Sequence, residues 1–179
     1  MAITTKWITR TQIAEYKQIS KSVYDDKLNQ IILEAQFNDL MPLLGEQFFN
    51  DIAAKIEASS TDYDDLLNGG LYTYQGVTYT NYGLRGVLAN YVYARYAMFG
   101  DVIDNPFGMT NKLNAPESQP ISMSAKQTIY QMNQDIAFNY WINVRNFLFR
   151  NSIDYPLFRQ VCGTTNRNKI KIHRIGWLS

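Results

Sequence analysis

The strongest pattern in this sequence is a long helical repeat of apolar residues between residues 124 and 149. Apolar side chains recur at steps of three and four residues, at Ala125, Ile129, Met132, Ile136, Tyr140, Val144, Phe147 and Leu148. This spacing predicts one long helix over residues 124–149, because it brings these side chains to one side of a helix. Ser124 and Gln127 have the spacing of a capping box at its start. So long a helix needs other helices against which to bury its apolar side, so the sequence predicts a mainly α fold.

Further helices are predicted by the same periodicity. The principal ones cover residues 25–41 and 83–99, and a short helix over residues 11–19 follows a capping box formed by Thr9 and Gln12. Pro42 predicts a kink or a new helix start, after which an apolar stripe runs from residue 44 to residue 56. We therefore expect a helical bundle of about four to five helices.

A β-hairpin is predicted over residues 70–82, where the pattern changes from helical spacing to alternation and turns at Gln75-Gly76. Its tyrosines, Tyr72, Tyr74, Tyr79 and Tyr82, are candidate interface residues. An isolated two-stranded hairpin is marginally stable in water, so it must pack on a helix of its own bundle or on another subunit. We expect an intersubunit contact, and packing on the bundle is the alternative.

The rest of the chain divides into a loop and an arm. Residues 101–122 contain three of the five prolines and show no periodicity, which predicts a long loop. We assign residues 1–162 to one helical domain and residues 163–179 to an extended basic C-terminal arm. Its apolar residues Ile170, Ile172, Ile175 and Trp177 are expected to bind another subunit or the portal, and a strand packed on its own domain is the alternative.

Charge is distributed unevenly along the chain. Residues 1–80 carry six Lys/Arg and eleven Asp/Glu, a net −5, whereas residues 81–179 carry eleven and five, a net +6. This polarity suits nucleic-acid contact or head-to-tail packing of identical subunits, and a solvated basic tail is the alternative. The candidate residues for contact with DNA or a partner are Arg159, Arg167, Lys169, Lys171 and Arg174.

Catalytic signals are weak. His173 is the only histidine and Cys162 the only cysteine, so neither a histidine pair for zinc nor a CxxC motif exists. The adjacent carboxylates Asp25-Asp26 and Asp64-Asp65 each precede a helical pattern, where helix capping explains them better than metal binding. No phosphate loop, dinucleotide fingerprint or hydrolase elbow is present. We therefore expect no enzyme activity, cofactor or metal, and neither a secretion signal nor a membrane span.

The order of motifs resembles a known family. The N-terminal pattern is Trp7-Ile-Thr-x-x-x-Ile13, then Asp25-Asp26-x-Leu28-x-x-Ile31-Ile32-x-x-Ala35-Gln36, then Leu44-Gly45. Later come Leu66-Leu67, Tyr91-Val-Tyr-Ala-Arg-Tyr96, Gly100-Asp101 and Phe107-Gly108-Met109. The sequence resembles the head-to-tail connector, or adaptor, proteins of tailed bacteriophages, in the branch from Bacteroidetes phages that includes crAss-like phages.

This resemblance implies a structural virion protein in the neck at the portal vertex, assembled in the host cytoplasm. It implies a homo-oligomeric ring, with twelve copies expected, that docks on the portal protein, contacts other neck or tail proteins and touches packaged DNA by weak non-specific contact. The hairpin and the basic arm are longer than a minimal adaptor needs, so another ring of the neck stays open. The alternative function is a stand-alone DNA-binding accessory protein without sequence specificity.

Overall fold

A computed structural model describes residues 5–20, 24–100, 102–105, 108–111 and 121–158 of the chain. Its α-helices are α1 (Arg10–Tyr16), α2 (Asp25–Ala35), α3 (Met41–Leu44), α4 (Glu46–Glu57), α5 (Asp64–Asn68), α6 (Gly83–Phe99) and α7 (Met123–Arg150). Its strands form two antiparallel hairpins, β1 (Gly70–Tyr74) with β2 (Val77–Asn81), and β3 (Val102–Asn105) with β4 (Gly108–Asn111). The mainly α fold predicted from the sequence is confirmed.

Helix α6 is the centre of the fold. Ten of its 17 residues are buried, and it packs against α1, α2, α5 and α7. Its partner α7 runs antiparallel to it, because Tyr82 before α6 bonds to Asn143 late in α7, whereas Tyr91 later in α6 interacts with Tyr130 early in α7. Gly86 allows a close approach here, since a Cβ atom at this position would lie 3.2 Å from the Tyr16 ring and 3.3 Å from the Tyr140 ring.

The core is rich in aromatic residues. Its largest fully buried side chains include Trp7, Phe48, Phe49 and Phe158. Trp7 stacks on Phe49 with 4.6 Å between ring centroids, and this contact joins the N-terminal segment to α4. The buried residues form one contiguous cluster, so hydrophobic burial stabilises the described helices as a unit.

The N-terminal segment begins as predicted. Thr9 caps α1, and the Thr9 amide donates to Gln12 Oε1 at 2.9 Å, which completes the predicted capping box. Gln36 is fully buried, and its side chain accepts a hydrogen bond from the Trp7 amide and donates one to the carbonyl of Thr5. The side chain of Gln36 therefore fixes the N-terminal segment to the bundle.

The helix predicted over residues 25–41 contains a π-helical turn, Gln36–Leu40, between α2 and α3. Here the Met41 amide bonds to the carbonyl of Gln36, five residues back. Pro42 lies in the first turn of α3, directly after the π-helical turn. The chain turns only at Gly45, whose φ of 82° lies in the region that favours glycine.

The predicted hairpin over residues 70–82 is confirmed. Tyr72 pairs with Tyr79 across the ladder, and the turn residues Gln75 and Gly76 have φ values of 50° and 78°. Two consecutive residues at positive φ are typical of a type I′ turn, which matches the natural twist of two paired strands. Residues 101–122 differ from the prediction of a structureless loop, because β3 and β4 form a second short hairpin there.

Two helix starts also differ from the sequence interpretation. The cap of α7 is Ser122, whose hydroxyl accepts from the Ala125 amide, so the helix starts ahead of the predicted Ser124. Asp25 and Asp26 occupy the first turn of α2 but make no side-chain cap bond. Asp25 instead pairs with Arg10 at 2.7 Å, so its negative charge is shared between the helix N-terminus and an arginine.

Candidate interaction surfaces

Three of the four predicted hairpin tyrosines face α7 of their own chain. The rings of Tyr72 and Tyr79 stack at 5.7 Å, and Tyr72 meets Phe147 edge to face at 4.9 Å. Arg150 donates to the Tyr72 hydroxyl at 2.7 Å, and its guanidinium carbon lies 3.7 Å from the Tyr79 ring centre. Tyr74 lies farther out, with its ring centre 5.8 Å from the same carbon. We call Tyr72, Tyr74, Tyr79 and Arg150 the tyrosine–arginine cluster.

Tyr82 belongs to a different place. It precedes α6, is 45% exposed and stacks on Tyr140 at 4.7 Å between ring centroids. The structure therefore brings Tyr72, Tyr74 and Tyr79 together and separates Tyr82 from them. The packing of Tyr72 and Tyr79 on α7 is the intramolecular alternative of the sequence analysis, and it leaves Tyr82 as the most exposed of the four rings.

The side of the hairpin that faces away from α7 is open. Leu71 lies opposite Thr80 on this side and is 76% exposed. Thr73 and Thr78, also exposed, complete the row. We call these four residues the hairpin outer face. The sequence analysis considered only the tyrosines of the hairpin and so missed Leu71. The alternation of side chains along β1 could have identified it, because it places Leu71 on the strand face opposite to Tyr72.

A second open surface lies on α7. Phe138, Ile142, Arg145 and Phe149 are spaced by four, three and four residues, which places them on one side of the helix. Phe138 is 48% exposed and Phe149 is 45% exposed. We call these four residues the α7 outer face. Phe149 follows Phe147 by two residues, or about 200° of helical turn, so this face points away from the hairpin.

A protein family of unknown function, DUF6712, matches residues 40–168. This range covers more than half of the 179 residues. The chain belongs to the DUF6712 family. No match to a curated protein or to a solved structure was found. The DUF6712 match starts in the π-helical turn and contains both hairpins, α6 and α7, whereas the N-terminal motifs up to Ala35 precede it.

Many basic side chains of this DUF6712 chain already have partners within the bundle. Arg95 binds Asp39 through two bonds of 2.7 and 3.1 Å, and Lys55 pairs with Asp62. Arg85 donates to the Trp7 carbonyl, and Lys27 donates to the Gly100 carbonyl at the end of α6. Two of these cations, Arg95 and Lys55, are paired with carboxylates of their own chain, which reduces the net positive charge that they present to a phosphate backbone.

Two tyrosines that lie near aspartates, Tyr63 and Tyr155, have raised pKa values. Burial, a hydrogen bond to Asp51 and nearby negative charge raise the pKa of Tyr63. Burial and the charges of Asp65 and Asp154 raise the pKa of Tyr155 to about 12. These groups remain protonated at neutral pH, so they act as hydrogen-bond donors and packing surfaces and do not supply a base.

The described residues offer no grouping of three or more His, Cys, Asp or Glu that could hold a metal ion. Within the same residues, no helix is long and apolar enough to cross a membrane. Asp64 and Asp65 lie in the first turn of α5, where their charge favours the helix N-terminus, but the predicted side-chain cap bond is not formed there. The remaining predicted site residues lie outside the described part of the chain: Cys162, His173, Ile170, Ile172, Ile175, Trp177, Arg159, Arg167, Lys169, Lys171 and Arg174.

Proposed function

We propose that this protein is a structural ring component of the neck of a tailed phage, a head-to-tail connector that docks on the portal protein around the DNA exit channel. The observation that carries the proposal is the presence of exposed apolar side chains on two separate surfaces of one small bundle. The hairpin outer face exposes Leu71, and the α7 outer face exposes Phe138 and Phe149 on another side of α7.

Two different surfaces are what a ring of identical subunits needs. In a closed ring each subunit contacts one neighbour with one surface and the other neighbour with a second surface. A two-fold dimer needs only one self-complementary surface. Exposed apolar groups on the hairpin and on α7 therefore favour a head-to-tail arrangement.

The distribution of charge also supports a ring over a stand-alone DNA-binding protein. Residues 1–158 carry twelve Lys/Arg and sixteen Asp/Glu, a net −4, and several of these cations pair within the bundle. A DNA-binding body normally presents a basic stripe. Weak contact through the segment after Phe158, which carries five Lys/Arg and no Asp/Glu, suits a conduit through which DNA slides.

The proposal is tested by measuring the mass of the purified full chain, alone and mixed with a candidate portal protein from the same source, across a range of salt concentrations. We expect large oligomers of one size, or one ring on each portal. Imaging of native particles should place the chain at the portal vertex.

The ring proposal would be overturned if the chain stayed monomeric both alone and with the portal protein, yet bound duplex DNA with a steep salt dependence. That result would favour the accessory DNA-binding function. The salt series is decisive because log K of DNA binding falls with log salt in proportion to the number of phosphates contacted, whereas burial of apolar surface between subunits does not weaken in this way.

A further inference from the structure

Strand β1 has an open edge. The loop Gln75-Gly76 joins Tyr74 to Val77, so these two residues exchange main-chain hydrogen bonds, and bonded and non-bonded pairs then alternate along the ladder. Leu71 and Thr73 therefore direct their main-chain N–H and C=O groups away from β2. Within the described residues, these groups of Leu71 and Thr73 have no hydrogen-bond partner, and no further strand pairs with β1.

The edge of β2 is closed at the end that meets α7. Asn143 donates from its side-chain amide to the Thr80 carbonyl at 2.9 Å. Its amide oxygen accepts a hydrogen bond from the Tyr82 N–H, also at 2.9 Å. The Asn143 side chain thus occupies the place at which the peptide group of a neighbouring strand would bond. Because β2 also lies along α7, β1 is the outer strand and has the more open edge of the two.

The sequence does not protect this edge against pairing. Natural edge strands are usually very short, are covered, or carry a charged side chain or a proline, which prevents other strands from pairing with them. Strand β1 has five residues, an ordinary length for a strand. Residues 66–84 contain neither a charged residue nor a proline, and Leu71 is 76% exposed. An uncovered, uncharged edge of this kind points to a second strand that pairs with it.

The β1 strand of a second copy fits this edge. Two antiparallel β1 strands related by a two-fold axis present the same groups to each other. They overlap over their full length when Tyr72 lies opposite Tyr72 of the other copy, and each Leu71 then lies opposite a Thr73 in a hydrogen-bonded pair. Tyr72 and Tyr79 already stack at 5.7 Å in each copy, so this pairing extends the row of rings across the two-fold axis. The β2 strand of a second copy fits less well, because Asn143 occupies part of its edge.

We propose that two copies of this chain pair edge to edge through β1, in an antiparallel two-fold contact with Tyr72 at its centre, so that their two hairpins form one continuous sheet. The contact uses main-chain groups of β1 and leaves the side chains of the hairpin outer face and of the α7 outer face exposed. It is formed by the free chain and goes beyond the proposed ring, whose contacts are head to tail.

Paired cysteines test the contact and its register. In a Cys162→Ser background, Leu71→Cys chains are mixed with Thr73→Cys chains, because the proposed pairing places these positions about 5.5 Å apart between Cα atoms, within the range of a disulfide. The matched control mixes Thr78→Cys with Thr80→Cys chains, which carry the cysteine at exposed positions of β2 on the same face of the hairpin. Under mild oxidation we expect linked dimers to form at least tenfold faster in the first mixture than in the control or with either variant alone.

Equal rates in the two mixtures would overturn the proposal, because they would indicate random collision only. Faster linkage between Thr78→Cys and Thr80→Cys chains would place the contact on β2 and would also overturn it. The same holds if Thr73→Cys chains link faster to Thr78→Cys chains than to Leu71→Cys chains, because that result indicates a head-to-tail sheet. The ring proposal is decided by the mass on a portal, so the two proposals fail separately.

A pair of proline variants gives an independent measurement. Thr73→Pro removes an N–H group from the edge of β1, whereas Thr78→Pro removes the corresponding group from the edge of β2, and neither group bonds within the hairpin. Thr73 and Thr78 lie opposite each other and both are exposed, so the two substitutions are closely matched. We expect the dimer dissociation constant, measured by analytical ultracentrifugation, to be at least tenfold higher for Thr73→Pro than for Thr78→Pro.

Equal dissociation constants in the two proline variants would overturn the proposal. Circular dichroism checks that both variants remain folded. If either proline variant is unfolded, the cysteine mixtures decide, because they leave the main chain of both strands intact.

Discussion

Arg150 is expected to hold the β1–β2 hairpin on the bundle, and Arg150→Met is the perturbation that tests it. Methionine keeps an apolar stem of similar length and removes only the guanidinium group. The lost contacts are the bond from Nη1 to the Tyr72 hydroxyl at 2.7 Å and the stacking of the guanidinium over Tyr79 at 3.7 Å.

The magnitude follows from these two contacts. A hydrogen bond from a charged donor contributes about 1.5 kcal/mol at the low end, which suits a half-exposed site. The cation–π contact adds about 0.5 kcal/mol at such a site. The free energy of unfolding should therefore fall by about 2 kcal/mol, which for a chain of this size lowers Tm by about 4 to 8 °C.

The assay is urea unfolding followed by circular dichroism, at a protein concentration where mass measurement shows monomers. Tyr72→Phe should cost about 1.5 kcal/mol because it removes the hydrogen bond and keeps the ring. In a double-mutant cycle the two changes should couple by about 1.5 kcal/mol, because they share that bond.

An unchanged unfolding free energy in Arg150→Met, within about 0.3 kcal/mol, would refute this reasoning. If the same variant also failed to assemble, the tyrosine–arginine cluster would be an intersubunit contact, as the sequence analysis first expected. The measurement therefore decides which surface the hairpin tyrosines serve.

Three further predictions concern the bundle. Arg95→Met should lower the unfolding free energy by about 3 kcal/mol, because it leaves the partly buried Asp39 carboxylate, whose side chain is 13% exposed, without its two-bonded partner; Asp39→Asn should cost less, and chemical denaturation checks both. Gly69→Ala should cost more than 2 kcal/mol, since φ is 77° and a Cβ atom would overlap the Asn81 carbonyl oxygen; a thermal melt close to that of the unmodified chain would contradict this. Burial and the Asp39 charge raise the pKa of Tyr91 to about 12 from an ordinary value of 10.0. The free energy that the neutral phenol contributes to folding is therefore complete below pH 10 and is lost as the pH rises toward 12. Tyr91→Phe should flatten the pH dependence of the unfolding free energy over this range, as measured by urea midpoints.

Local patterns were sufficient for the elements that depend on backbone geometry alone. Apolar spacing predicted α6 over residues 83–99 as the structure has it. The alternation around Gln75-Gly76 predicted the β1–β2 hairpin, because a turn with two positive φ values favours glycine. The capping box of Thr9 and Gln12 also needed only neighbours in sequence.

Elements whose cause is distant in sequence were missed. The π-helical turn contains Asp39, which pairs with Arg95, 56 residues away. The residues near Asp39 in sequence give no sign of this pairing. The short hairpin β3–β4 lies in a segment whose prolines and asparagines suggested only a loop. The strands β3 and β4 pair with each other within residues 102–111, so in this case the sequence analysis missed a local pairing and not a distant contact.

The candidate surfaces divide in the same way. The sequence by itself determined which side chains are apolar, which segments repeat them and how charge is distributed, because these properties belong to single residues and to the periods of helix and strand. Only the tertiary structure decided that Arg150 covers Tyr72, 78 residues away, while Leu71 and Phe138 remain open. Burial is a property of the packed chain, since each apolar face is covered or left exposed by whichever element folds against it.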